Sequence, residues 1–87
     1  MSENPTQTTV TVYTREDCHL CEEALKTIRR TSEEMQKDVS LDLVDIDETP
    51  ELREQYGDRI PYVLIDGRPA FKYRVDKTAL RERLSAE

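Results

Sequence analysis

The sequence has no third cysteine, no second histidine, no long apolar run and no excess of basic charge, and each absence removes a class of function. A structural zinc ion is usually held by four Cys or His ligands. Only Cys18, Cys21 and His19 are on offer, and His19 lies between the two cysteines, turned about 100° from each neighbour on a helix. A zinc site within one chain is therefore not expected. A c-type haem needs a His directly after the second Cys, and Glu22 stands there. The net charge of -6 would repel a nucleic-acid backbone. The basic residues Arg29, Arg30, Arg81 and Arg83 are interspersed with acids and read as solvated faces. No stretch approaches the length that spans a bilayer, and Met1 to Thr9 is too polar for a signal peptide. The expectation is a cytoplasmic protein, whose 87 residues form a single domain, 1–87, behind a flexible tail at 1–7. In that compartment thiols are kept reduced, and a C-x-x-C pair is more often catalytic or metal-binding than a structural staple.

What is present is Cys18-His19-Leu20-Cys21 at the end of a strand-like run. Two thiols so spaced form either a dithiol and disulfide pair or an inert pair of small buried residues. The surrounding pattern places them in an α/β chain. Thr8 to Thr14 is β-branched and reads as a strand. From Cys18 the apolar positions Leu20, Cys21, Ala24, Leu25, Ile28 and Met35 follow helical spacing. Ser40 to Ile46 is a second strand whose alternation slips near Leu43 and Val44, as continuous burial there would cause. Thr49-Pro50 starts a short helix with Leu52 and Tyr56 inward, ended by Gly57 in the left-handed conformation. Ile60 to Ile65 and Arg68 to Tyr73 flank Asp66-Gly67, a two-residue hairpin turn, with Pro69 near a strand start or on an edge. Asp76 caps a last helix through Ser85, with Ala79, Leu80 and Leu84 inward. The order β-α-β-α-β-β-α gives a four-stranded mixed sheet with helices on both faces.

The strand Val10 to Thr14, the helix opened by Asp17-Cys18-His19-Leu20-Cys21 and the later Arg59-Ile60-Pro61 resemble a glutaredoxin. Tyr13 to Ala24, with Asp45-Ile46-Asp47 and Pro50-Glu51-Leu52, is similar to the small prokaryotic glutaredoxin-like group whose motif is C-x-L-C. The resemblance covers nearly the whole chain and implies the thioredoxin fold with strand order 2-1-3-4, disulfide exchange and a cis bond at Ile60-Pro61. It also implies glutathione as co-substrate with no bound cofactor, and Arg15, His19, Leu20, Arg59, Ile60, Pro61 and Asp76 as substrate-binding positions. The chain departs from the family where His19-Leu20 replaces Pro-Tyr. It departs again where Lys72-Tyr73-Arg74-Val75 stands in place of the Gly-Gly that receives glutathione's γ-glutamyl end. The Trp-Cys-Gly-Pro-Cys of thioredoxins is absent, for the chain has no Trp.

The chemistry follows from the residues. A free Cys with pKa near ~8.5 is mostly protonated at neutral pH. At a helix N-terminus, unpaired N–H groups and the macrodipole favour the thiolate. Cys18 is the expected nucleophile and Cys21, one turn inward, the resolving thiol. Arg15 and a protonated His19 favour the Cys18 anion, Glu16 and Asp17 oppose it, and His19 is expected to face solvent and tune reactivity modestly. The backbone of Ile60 is expected to pair with an extended substrate. Tyr13 is expected to pack, and Asp42, Asp45 and Asp47 to form a solvated face. The expected partners are glutathione or a disulfide reductase and protein disulfides, with the chain a monomer. The alternative is a metal or iron-sulfur module in which two chains contribute these cysteines.

Overall fold

Alternation along one strand organises the fold. The computed structural model describes residues 8–85; the tail expected at 1–7 lies outside the described residues. Strand β1 (Thr8–Thr14) buries Val10 and Val12 completely on one face and turns Thr11 and Tyr13 to the other. It is flanked by β2 (Val39–Asp45), parallel to it, and by β3 (Tyr62–Ile65), antiparallel to it, and β3 pairs antiparallel with β4 (Arg68–Lys72). The sheet order is β2-β1-β3-β4.

Helices α1 (His19–Glu34), α2 (Pro50–Tyr56) and α3 (Lys77–Ser85) complete the chain, with a single 3₁₀ turn at Ile46–Glu48. Ile28 of α1 and Leu80 and Leu84 of α3 pack with Val10, Val12, Val63 and Ile65 in one cluster of buried side chains. Each such side chain contributes about 1.5–3 kcal/mol of burial free energy. Glu34 holds these two helices together through Lys77 at 2.9 Å and Arg81 at 3.5 Å, and the Lys77 ammonium foremost keeps its carboxyl below the ordinary glutamate value. On the opposite face the Tyr13 ring stacks on Tyr56 at the end of α2, 4.2 Å between centroids. Helices therefore cover both faces.

Local signals placed the element ends. Thr49 Oγ1 accepts from the Leu52 N–H at 3.3 Å with Pro50 behind it. Asp76 Oδ2 accepts from the Ala79 N–H at 2.9 Å. Asp66 and Gly67 have φ of 51° and 81°, the double positive φ that a tight hairpin needs. The Asp66 N–H and carboxylate also bond the Thr9 carbonyl and N–H, which ties the turn to β1. Helix α1 ends without glycine: Gln36 takes φ 54°, its N–H reaches the Glu33 carbonyl, and the Lys37 N–H reaches that of Ser32, the paired bonds of a Schellman end.

Four expectations are corrected. Strand β2 spans Val39–Asp45 and leaves Ile46 buried in the 3₁₀ turn. Its slipped alternation marks an edge strand with Leu43 47% exposed, not continuous burial. Leu20 is 41% exposed rather than inward, because the inward line of α1 runs through Cys21, Ala24, Ile28 and Thr31. Gly57 is right-handed, φ -54°, so its place is explained by space: a Cβ there would lie 2.5 Å from the Arg53 carbonyl oxygen. Alanine in place of a right-handed glycine ordinarily stabilises. Here Gly57→Ala is expected to destabilise by about 1–3 kcal/mol, read as a lower urea midpoint with unchanged slope; a raised midpoint would contradict the crowding.

Candidate functional site

At the carboxyl end of β1 the chain leaves the sheet through Arg15 and Glu16, and Asp17 turns it with φ 58°. Asp is among the side chains that tolerate this left-handed region. Cys18 follows in an extended conformation as the N-cap of α1, and its Sγ accepts a hydrogen bond from the Cys21 N–H at 3.1 Å. The cap position normally filled by a Ser, Thr, Asp or Asn oxygen is here filled by sulfur. Cys18 and Cys21 are joined as a disulfide with their Cα atoms 5.2 Å apart. Cys21 is 1% exposed on the inward face of α1, whereas Cys18 is only partly covered. One sulfur is thus open to an incoming partner and the other sheltered behind it.

The remaining sequence-selected positions divide into separate places. His19 is 82% exposed and its Nε2 lies 3.6 Å from Glu23 Oε2, one turn along the helix. With Leu20 it lines a surface hollow of about 370 Å³, closed on the far side by Tyr73, Arg74 and Val75. Arg59 lines a second hollow of about 290 Å³ with Tyr62, Phe71 and Lys72. Pro61 is fully buried one residue before the Tyr62–Tyr13 pair, and the Ile60–Pro61 bond is cis. Its carbonyl accepts from the Tyr73 N–H at 2.8 Å. Arg15 and Asp76 are both engaged. Arg15 forms a two-pronged pair with Asp47, Nη2 to Oδ1 at 2.8 Å and Nε to Oδ2 at 3.2 Å, and Asp76 caps α3.

Asp45 caps the 3₁₀ turn through the Asp47 N–H. Two acids that alternate in sequence therefore serve backbone and arginine rather than one shared ligand. Among the described residues no group of three His, Cys, Asp or Glu side chains converges in a way that would hold a metal ion. No helix of the described residues is long and apolar enough to cross a membrane.

The sequence reading missed a cluster of three tyrosines at this end of the sheet. Tyr56 lies between Tyr13 and Tyr62, whose ring centroids are 4.2 and 5.1 Å away. The signal was a Tyr on each of three elements, all at ends facing the Cys18 turn. Partial burial foremost, and then the neighbouring Tyr13, raises the Tyr56 pKa above the ordinary tyrosine value.

A glutaredoxin-like domain family model (DUF836) matches residues 9–85 of the chain. The chain belongs to this glutaredoxin-like family. The uncharacterized proteins Rv0508 of Mycobacterium tuberculosis and Mb0520 of Mycobacterium bovis are each 33% identical to it over 75 residues, 83% of this chain and 77% of theirs. The X-ray structure of XcR50 from X. campestris superposes with TM-score 0.74 at 30% identity, covering 90% of this glutaredoxin-like chain and 97% of that protein. The solution structure of Ne2328 from Nitrosomonas europaea gives 0.74 at 26% identity, covering 95% and 98%. A mutant thioredoxin from Halobacterium salinarum shares the fold, with TM-score 0.62 at 21% identity over 91% of this chain and 73% of that one. The architecture is thus the thioredoxin fold, and a glutaredoxin-like domain with its cysteines bridged supports a redox role.

The raised Tyr56 value has a sign. The folded state favours the neutral phenol, so its contribution to stability is complete below the ordinary pKa of 10.0 and is lost as pH rises through the higher folded value. Tyr56→Phe is expected to lose less stability than the wild type between about pH 9 and 11, measured as urea midpoints; parallel curves would show that the phenol is not held neutral.

Proposed function

We propose that the chain is a thiol-disulfide oxidoreductase in which Cys18 is the nucleophile and Cys21 the resolving thiol. The observation that carries this reading is the asymmetry of the pair: Cys18 Sγ is partly open at the start of α1 and receives the Cys21 N–H, while Cys21 is buried one turn inward. The Cys21 N–H and the positive end of α1 stabilise negative charge on the sulfur that must attack.

In the reaction the Cys18 thiolate attacks one sulfur of a substrate disulfide. A Cys18–sulfur bond forms, the substrate S–S bond breaks, and the expelled thiolate takes a proton from water. Cys21, losing its proton, then attacks Cys18 Sγ. The Cys18–Cys21 disulfide closes and the second substrate thiol leaves, so two electrons have passed from the dithiol to the substrate. Glutathione or a disulfide reductase returns the pair to the dithiol. In this reading substrate backbone aligns along Ile60 beside Pro61, with Arg59, which lines the second hollow, as the neighbouring cation. The chain works as a cytoplasmic monomer, without nucleic acid or membrane.

The test is titration of wild type and Cys21→Ser in glutathione buffers of graded poise, with free thiols trapped and intact masses read. The expected outcome is an internal disulfide in the wild type and a glutathione adduct on Cys18 in the variant. Thiols free at every poise, or chains linked only to one another, would overturn the reading.

A further inference from the structure

The loop between β4 and α3 holds an aromatic side chain in a conformation that aromatics rarely adopt. Tyr73 has φ 71°, and the N–H of Arg74 bonds the Lys72 carbonyl across it at 2.8 Å. Together these make a γ-turn of the rare positive-φ kind. For a bulky residue this is a true outlier. It is fixed on one side by the bond from the Tyr73 N–H to the Pro61 carbonyl. Strain of this kind persists where the surroundings enforce it, and it concentrates at ligand clamps.

The ring so displayed is 44% exposed, as is Leu20 at 41%, and both line the hollow that adjoins the first turn after Cys18. Ala24 and Val75 add apolar surface to the same hollow. Its charges are unevenly matched. Glu23 has His19 Nε2 3.6 Å away, Arg74 makes no ion pair among the described residues, and the Lys72 ammonium lies 5.4 Å from the Tyr73 ring centroid. The loop wall is therefore apolar, with Arg74 as a cation that has no acidic partner among the described residues.

We propose that this hollow is a side-chain subsite for a polypeptide disulfide substrate, taking an apolar residue next to the substrate cysteine, with an acidic residue beyond it turned toward Arg74. The proposal rests on the exchange reading above and assigns its substrate class. Tyr73 and Leu20 are specificity-determining walls. Glutathione has no apolar side chain with which to fill the hollow, so it gains nothing from them.

The test uses the reduced full chain and short peptides whose single cysteine is blocked as a mixed disulfide with thionitrobenzoate, so that attack by Cys18 releases colour. One peptide carries Leu beside the cysteine and Asp beyond; in the others Ala replaces Leu, or Lys replaces Asp. Glutathione blocked in the same way is a fourth substrate. The Leu–Asp peptide is expected to react about tenfold faster than the Ala peptide and than blocked glutathione, the scale of partly burying one apolar side chain. Within Tyr73→Gly and within Leu20→Ala, the Leu-over-Ala ratio is expected to fall below about twofold. Changing Asp to Lys is expected to slow the wild type but not Arg74→Ala. Tyr73→Gly is expected to melt at or above the wild-type temperature, since glycine adopts this φ freely; if it does not fold, Leu20→Ala, altered at an exposed position, gives the answer alone. Equal rates across the peptides, blocked glutathione reacting fastest, or a ratio unchanged in both variants would overturn the subsite. Failure of the wild type to reduce the small symmetric disulfide of nitrobenzoate would remove the exchange reading and the subsite with it. Reduction of that disulfide without peptide preference would remove the subsite alone.

Discussion

The bond from the Cys21 N–H to Cys18 Sγ is the constraint on which the rest depends. It makes a sulfur the cap of α1, so the start of the helix and the chemistry share one atom. A capping oxygen would satisfy the same N–H group and leave nothing able to exchange. The remainder of the fold holds that atom still. Strand β1 delivers it, the α1 line of Cys21, Ala24 and Ile28 anchors the helix in the core, and Glu34 pins the far end of α1 to α3. A partly open nucleophile thus sits at the start of a helix whose inward line is buried.

Much of this was legible in the chain because the signals were local. Asp66-Gly67, Thr49-Pro50 and Asp76 each carry their conformation within four residues, and the structure forms a turn or cap at all three. The Cys18–Cys21 pair and its place at a helix start were equally readable. What escaped the reading depends on partners distant in sequence. Arg15 meets Asp47 32 residues away, and nothing around Arg15 announces an acid waiting on the far side of β2. The three tyrosines come from β1, α2 and β3. Gly57 was misread for a related reason: glycine serves both left-handed turns and crowded spots, and only the position of the Arg53 carbonyl distinguishes them. Leu20 shares helical spacing with the apolar line of α1, yet it belongs to a face turned toward solvent and the loop before α3.

The end of the sheet that carries the dithiol is electrically divided. Glu16, Asp17, Glu22 and Glu23 flank the cysteines along the turn and the first part of α1, while Arg59, Lys72 and Arg74 lie along the β3 and β4 side. Most of these groups are exposed, so salt screens their influence over about 8 to 10 Å. Their effect falls on the orientation of an approaching charged chain more than on the strength with which it is held.

The outer strand β4 has a consequence for the protein in concentrated solution. An exposed strand edge is a template for pairing with another copy. Here Pro69 lacks the N–H that an added strand would need, and the register shifts between Val63 and Leu64 so that Leu64 meets Pro69 while Val63 meets Phe71. A second copy approaching this edge finds neither a regular row of donors nor an even repeat. The same short hairpin that completes the sheet also stops it from growing on that side.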